Sequence, residues 1–327
     1  MSKYLIFRTD RIGDFIFSRM LIYSIKISNP KNIVDLVCSQ YNSNYVRKFS
    51  DIRKIYILDK FNIKLTLKNY LNINREKYDY CIILDGKRRS IFFSLLLKVK
   101  TKVTLVKSFR PIFILKNFFD KYFINSEINS QYFNFKILAS YIKIKVPKKI
   151  KYFKSYKPTQ KYRIKVFSNY TLLHLDEKWF EGYYHDDFKY MNLNKNNFDK
   201  LISSIKNKFK KKIIITSGKI DMLQFNEIKK ILFTKYKKNF LKYKKNNNEV
   251  YLIEETNFDE LKYLTSKSSE LICCEGAISH VSHGYDINTY ALVETNKTAK
   301  FWTNHMTRIK LLNRNHIKNI CEQIRNI

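Results

Sequence analysis

FRTDRIGDFIFS, residues 7–18, sets Arg8, Asp10, Arg11 and Asp14 between two apolar runs, residues 4–7 before it and Phe15, Ile16 and Phe17 after it. Burying a charge is costly unless the group is paired or used. The charges therefore mark one short turn between a buried strand and a buried helix. A strand, a charged turn containing Gly13 and a helix form the layout of a site at the C-terminal edge of a parallel sheet. Gly13 is expected to permit a tight backbone turn. Asp14 sits at the start of the helix, where the macrodipole and free amides favour an ionised carboxylate. Two uses of it stay open on these grounds: a general base, or a cap for the first helical turn.

The pattern continues outward. Strand-like runs at 4–7, 33–38, 55–58, 80–84 and 103–106 alternate with segments of helical length and period, such as 15–28 and 63–74. Such alternation implies βαβ units and a parallel sheet. Residues 147–163, PKKIKYFKSYKPTQKYR, carry two prolines and many lysines without a sustained apolar period, and read as an interdomain linker. A second alternation follows: strands at 171–175, 213–216, 250–253, 271–274 and 289–293, helices at 198–209, 222–235 and 258–265, and a closing amphipathic helix at 315–327. Residues 237–248 read as a Lys/Asn-rich loop. The expectation is α/β: two Rossmann-like domains, 1–150 and 151–327, with parallel sheets facing across a cleft.

Composition bounds the function. The chain has 327 residues, 45% hydrophobic and 16% aromatic, which excludes wholesale disorder. Its 63 Lys plus Arg against 28 Asp plus Glu give a formal net charge of +35, which favours anionic partners: nucleic acid, lipid head groups or nucleotide substrates. A bland reading stands beside this one, because lysine comes with abundant Asn, Ile, Tyr and Phe and few Gly or Pro. Five cysteines without a CxxC pair suggest neither a zinc site nor a disulfide framework, and point to reduced thiols in a cytoplasmic protein. The charges at Arg8 to Asp14 interrupt any signal-peptide core, and no apolar stretch approaches the roughly 18 residues needed to span a bilayer.

Four segments, in order, carry a resemblance. KYLIFRTDRIGDFIFSRML (3–21) resembles the N-terminus of glycosyltransferase family 9, the lipopolysaccharide heptosyltransferases, where a first strand runs into an R-x-D-R-I-G-D-like turn and a helix. YDYCIILDGKRRS (78–90) is similar to the family's strand and D-G turn. HLDEKWF (174–180) is similar to its Lys-Trp segment. LICCEGAISHVSHGYDINTYALVE (271–294) is similar to the strand, turn and helix that hold the nucleotide diphosphate.

The resemblance implies a GT-B fold and an inverting, metal-independent transferase, with no cofactor beyond its nucleotide-sugar donor. Asp14 is then the general base, with Arg8, Asp10, Arg11, Gly13 and Asp85 on the acceptor side. Arg11 would pair with Asp10 or meet an anionic acceptor. Lys178 becomes the phosphate ligand, and Glu275, Gly276, Ala277, Ser279 and His280 the donor turn, where small residues and a helix N-terminus suit phosphate. Ser217, Gly218 and Lys219 end a strand before a helix and form a second place for nucleotide contacts, or a plain turn. Glu275 stands where the family usually has Asp, and Glu294-Thr295-Asn296 replaces its G-P-T. The implied donor is ADP-heptose and the implied acceptor a lipopolysaccharide core or similar glycan, at the inner face of the inner membrane. Other nucleotide sugars, or a non-catalytic anionic-lipid or nucleic-acid binder on the same fold, are the alternatives. Nucleic acid is disfavoured by the lack of an RRM-type aromatic motif. The basic aromatic stretch 109–123 would lie on a membrane, line the acceptor entrance or pack in the core.

Overall fold

A computed structural model describes residues 1–59, 61–106, 118–124, 129–157, 168–180, 193–218, 223–237, 240–244, 249–294 and 296–327. They form two compact units, Met1–Thr159 and Gln160–Ile327.

Unit 1 contains β1 (Lys3–Arg8), α1 (Ile12–Ser28), β2 (Ile33–Cys38), α2 (Gln40–Val46), β3 (Ile55–Ile57), α3 (Ile63–Arg75), β4 (Tyr80–Ile83), α4 (Arg88–Leu95), β5 (Thr101–Val106), β6 (Lys121–Ile124) and α5 (Gln131–Tyr141). The strand order is β3-β2-β1-β4-β5-β6, and every pair is parallel. This is the doubly wound order, in which the chain reverses direction across the sheet between β1 and β4. β1 is central, so Leu5, Ile6 and Phe7 are fully buried on both faces. α1 is buried along most of its length, from Phe15 to Ile25, because other segments cover it.

One of those segments is the expected linker. Residues 151–157 belong to unit 1, not to a connection, so the boundary falls at 159/160 rather than 150/151. Arg19 of α1, fully buried, forks onto Asp51, donates from Nε to the Tyr152 carbonyl (3.1 Å) and from Nη2 to Ser155 Oγ (2.9 Å), and lies 4.4 Å above the Phe49 ring. Tyr152 is buried and Tyr156 bridges to Phe49. Lysines make 147–157 look solvated, yet its aromatic residues are the ones that dock. The remainder of the expected linker, 158–163, lies outside the described residues.

Unit 2 contains β7 (Thr171–Leu175), a 3₁₀ turn at Glu177–Trp179, α6 (Lys195–Phe209), β8 (Ile213–Ser217), α7 (Leu223–Leu232), β9 (Phe233–Lys237), β10 (Phe240–Tyr243), β11 (Val250–Ile253), α8 (Phe258–Lys267), β12 (Glu270–Cys274), α9 (Ala277–Gly284), β13 (Asn288–Val293), α10 (Asn296–Thr303), β14 (Ile309–Asn313) and α11 (Ile317–Arg325). Its order is β14-β13-β12-β7-β8-β11-β10-β9, parallel except for the β9–β10 hairpin and its join to β11. The hairpin corrects two expectations. The helix over 222–235 ends at Leu232, and part of the supposed 237–248 loop is a strand. Phe233 packs against Phe198 and Tyr243, while Thr234 to Lys237 are exposed, with two lysines among them, as suits a sheet edge. All five cysteines are free and buried, and burial holds their thiols above the ordinary range.

Candidate active site

The charged turn of residues 8–14 sits at the C-terminal edge of β1, and its charges face one another. Arg8, 2% exposed, donates from Nη1 to the Leu84 carbonyl (2.8 Å) and from Nε to the Asp14 carbonyl (3.1 Å), and pairs with Asp10 at 3.2 Å. Its Nη2, without a hydrogen bond, stands 3.6 Å from Asp14 Oδ1. Asp10 lies between Arg8 and Lys87, whose ammonium is 2.6 Å away. Asn42 of α2 donates to the Arg8 and Asp10 carbonyls (2.9 and 3.0 Å), pinning the turn from the other side. Arg11 is exposed.

Asp14 occupies the third position of α1. One carboxylate oxygen accepts the Arg11 backbone N–H at 3.3 Å and the other faces Arg8, leaving the side chain 27% exposed. It thus supports the first turn of the helix and still opens to solvent. Gly13 differs from expectation: it lies within α1, and Gly86 (φ +57°) is the glycine in the left-handed region among the described residues. A Cβ there would meet the Leu105 carbonyl oxygen at 2.6 Å, so Gly86 is the position where the chain needs glycine. Asp85 beside it is 8% exposed and accepts from Thr9 N (3.2 Å), Thr9 Oγ1 (2.5 Å), Ser90 Oγ (2.7 Å) and Lys87 N (3.2 Å). Its geometry is that of a brace tying the turn after β4 to the turn after β1.

In unit 2 the expected donor residues gather at the C-terminal edges of β7 and β12. Trp179, fully buried, anchors the 3₁₀ turn by donating to the His174 carbonyl (2.9 Å). That anchor aims Lys178 so that its ammonium donates to the Glu275 carbonyl at 2.5 Å, beside Gly276. A Cβ on Gly276 would come within 3.2 Å of Lys178 Nζ. Gly276 is the N-cap of α9, so the ammonium stands at the positive end of that helix's dipole. Ser279, fully buried, closes the cap: its hydroxyl donates to the Gly276 carbonyl (2.6 Å) and accepts from the Gly276 N–H (3.3 Å). Ala277 opens the helix, and His280 is buried within it.

Ser217 is buried at the end of β8, and its carbonyl accepts from Thr256 N (3.2 Å) and Thr256 Oγ1 (3.0 Å). A Cβ on Gly218 would meet nothing within 4 Å. Lys219 lies outside the described residues. So do Thr295 and residues 107–117, most of the aromatic stretch 109–123. Burial holds His174 below its ordinary pKa, with Asp176 opposing, and its Nδ1 is 3.0 Å from Thr216 Oγ1. Among the described residues no group of three or more His, Cys, Asp or Glu could hold a metal ion, and no helix is long and apolar enough to cross a membrane.

At the level of sequence, no family profile and no curated protein matches this chain. Solved structures do. The heptosyltransferase WaaC of E. coli, solved with ADP, covers 99% of this chain over 98% of its own, at 11% identity and a TM-score of 0.69. A glycosyl transferase family 9 protein from Veillonella parvula covers 96% over 86%, at 10% identity and 0.69. The UDP-GlcNAc 2-epimerase of Methanocaldococcus jannaschii covers 99% over 92%, at 13% identity and 0.57. The chain has the heptosyltransferase fold.

Within this GT-B fold, two residues stand out that sequence reading missed. Arg314, just past β14, donates from Nη1 to the Lys178 carbonyl (3.0 Å) and pairs through Nη2 with Glu294 at the end of β13. It thereby fixes the backbone that carries the phosphate candidate. β14 was not foreseen as a strand, so nothing marked Arg314 as lying at a strand end. Glu294, noted only as a departure from G-P-T, is its partner.

Proposed function

We propose that this chain is an inverting glycosyltransferase that moves a sugar from a nucleotide diphosphate to a glycan or lipid-linked acceptor. The observation that carries the reading is the Lys178 ammonium held over Gly276 at the N-terminus of α9. A cation beside a glycine at a helix N-terminus forms a place for a diphosphate. Lys178 would neutralise the departing diphosphate as its bond to the anomeric carbon breaks, without need of a metal ion. Asp14 would take the proton of the acceptor hydroxyl as its oxygen attacks from the opposite face. Arg8 positions Asp14, and Asp10, Arg11 and Lys87 offer polar contacts to the acceptor.

The finer reading is transfer of heptose from ADP-heptose to a lipopolysaccharide core, at the inner face of the inner membrane. WaaC's ADP supports the nucleotide. A second reading, another nucleotide sugar and another surface glycan, is favoured by Glu294: an acid replaces the family's G-P-T and is engaged by Arg314. Thermal-shift titration with ADP-, GDP- and UDP-sugars separates them, since a ligand that binds only the folded state raises Tm. Stabilisation by ADP-sugars that Lys178→Ala abolishes supports the first reading. Stabilisation by another nucleotide alone selects the second, and by none removes both.

A further inference from the structure

Helix α3 turns polar side chains toward the sheet. Its polar Thr66 and Asn69 face the sheet: Thr66 Oγ1 donates to the Asp59 carbonyl (2.9 Å) and Asn69 Nδ2 to the Ile57 carbonyl (2.8 Å), with Ile73 buried on the same side. These bonds turn Ile63, Leu67 and Leu71, one stripe at i, i+4 and i+8, toward solvent, with Ile63 77% and Phe61 just ahead of it 83% exposed. Helix α4 meets α3 through a ring pair, Phe93 against Tyr70 edge-on with ring centroids 6.2 Å apart. α4 also carries an outward apolar pair, Phe92 and Leu96. Both helices pack on the same core through Ile73, Ile91, Phe93 and Leu97, so both outward faces look away from the sheet.

The charge around this apolar patch has one sign. Lys64 and Lys68 flank the stripe on α3, Arg88 opens α4 and Lys98 lies three residues past its end, all exposed. No acidic residue from 61 to 100 is exposed: Glu76 and Asp79 are half-buried in ion pairs and Asp85 is buried. A large apolar patch on a soluble chain marks a contact surface, and protruding aliphatic side chains beside lysines suit the boundary of an anionic bilayer, which they enter by roughly 5–10 Å. A second copy of this chain would bring the same positive charge against it.

We propose that the α3–α4 face is a membrane-docking surface for an anionic lipid leaflet. It deepens the transferase reading, because Lys87, the N-cap of α4, contacts Asp10 of the charged turn. The docked leaflet would then lie along the helix that starts at the acceptor side, which suits a lipid-anchored acceptor.

The test is co-sedimentation of the full chain with vesicles of phosphatidylcholine alone or with about a third phosphatidylglycerol. The protein should pellet with the anionic vesicles and stay in solution with the neutral ones. Leu67→Ser with Phe92→Ser and Leu96→Ser should lower partitioning about tenfold or more, and Lys64→Glu with Lys68→Glu by a similar factor. All are exposed positions, so Tm and the donor-dependent thermal shift should hold. No anionic-vesicle binding overturns the proposal, as does binding that the serine substitutions leave intact. A single-stranded oligonucleotide bound in place of vesicles, or a dimer that the serine variant dissociates with no vesicle binding, also overturns it. Vesicle binding is read without donor or acceptor, so its failure leaves the donor titration standing, and the reverse holds.

Discussion

The two units each carry a polar turn at the C-terminal edge of a parallel sheet, and the turns are built differently. In unit 1 the charges are of both signs and close on one another: Arg8 holds Asp10 and Asp14, Lys87 holds Asp10, and Asp85 braces two turns. In unit 2 the Lys178 ammonium is held against a backbone carbonyl at a helix N-terminus. A closed ion-pair network fixes a carboxylate in place, which suits proton transfer to a neutral hydroxyl. A cation at a helix N-terminus suits a ligand that brings its own negative charge.

The sharpest way to break this contrast is Asp14→Asn. Loss of a general base should lower turnover by roughly 10² to 10⁴ with donor binding intact. Because Asn can accept the Arg11 N–H as Asp14 does, a helix-supporting role alone predicts near wild-type turnover. Lys178→Ala comes next and should act on both binding and rate, weakening donor affinity in thermal-shift titration by about tenfold or more, the loss of one charge-assisted contact. Unchanged affinity would remove the phosphate role.

Glycines divide along the same line. Gly86→Ala forces φ +57° on a side chain against the Leu105 carbonyl, and should destabilise the protein by about 1–3 kcal/mol in urea unfolding. Gly218→Ala meets open space and should stay within about 0.5 kcal/mol of wild type, the smallest effect of the set.

Between them in size lies an effect of pH. All six histidines fall in unit 2. Burial lowers His174, His283 and His305; His305 falls to about 2, with His283 and His280 adding repulsion. Imidazoles that burial, full or partial, keeps neutral bind fewer protons than the unfolded chain, so unit 2 loses stability as pH falls below about 6.5, by about 2 kcal/mol at pH 5 from His305. In unit 1 Glu76 is held at about 2 by Lys54 and Arg53, and that stability is lost only as pH falls below the ordinary carboxylate range. Both tryptophans, Trp179 and Trp302, are in unit 2. The urea midpoint by tryptophan fluorescence should therefore fall between pH 7.5 and 5. A constant midpoint would contradict the lowered histidines.

Much of this was legible in the chain itself. Apolar runs alternating with helical periods gave the parallel sheets, because a strand buried on both faces must be apolar throughout. The charged turn and the glycine turn before α9 were visible as polar and small residues at strand ends, while Lys178 stood out only through the family resemblance and its neighbour Trp179. Other features depended on partners remote in sequence. Thr66 and Asn69 bond to carbonyls of a preceding segment and so decide which way α3 faces, against its own apolar stripe. Arg19 recruits 151–157 to unit 1, and Arg314 reaches Lys178 across 136 residues. Periodicity reports what a residue prefers to bury. Which polar atoms find each other when the sheets close is settled only by tertiary structure, since each such bond depends on the position of its partner.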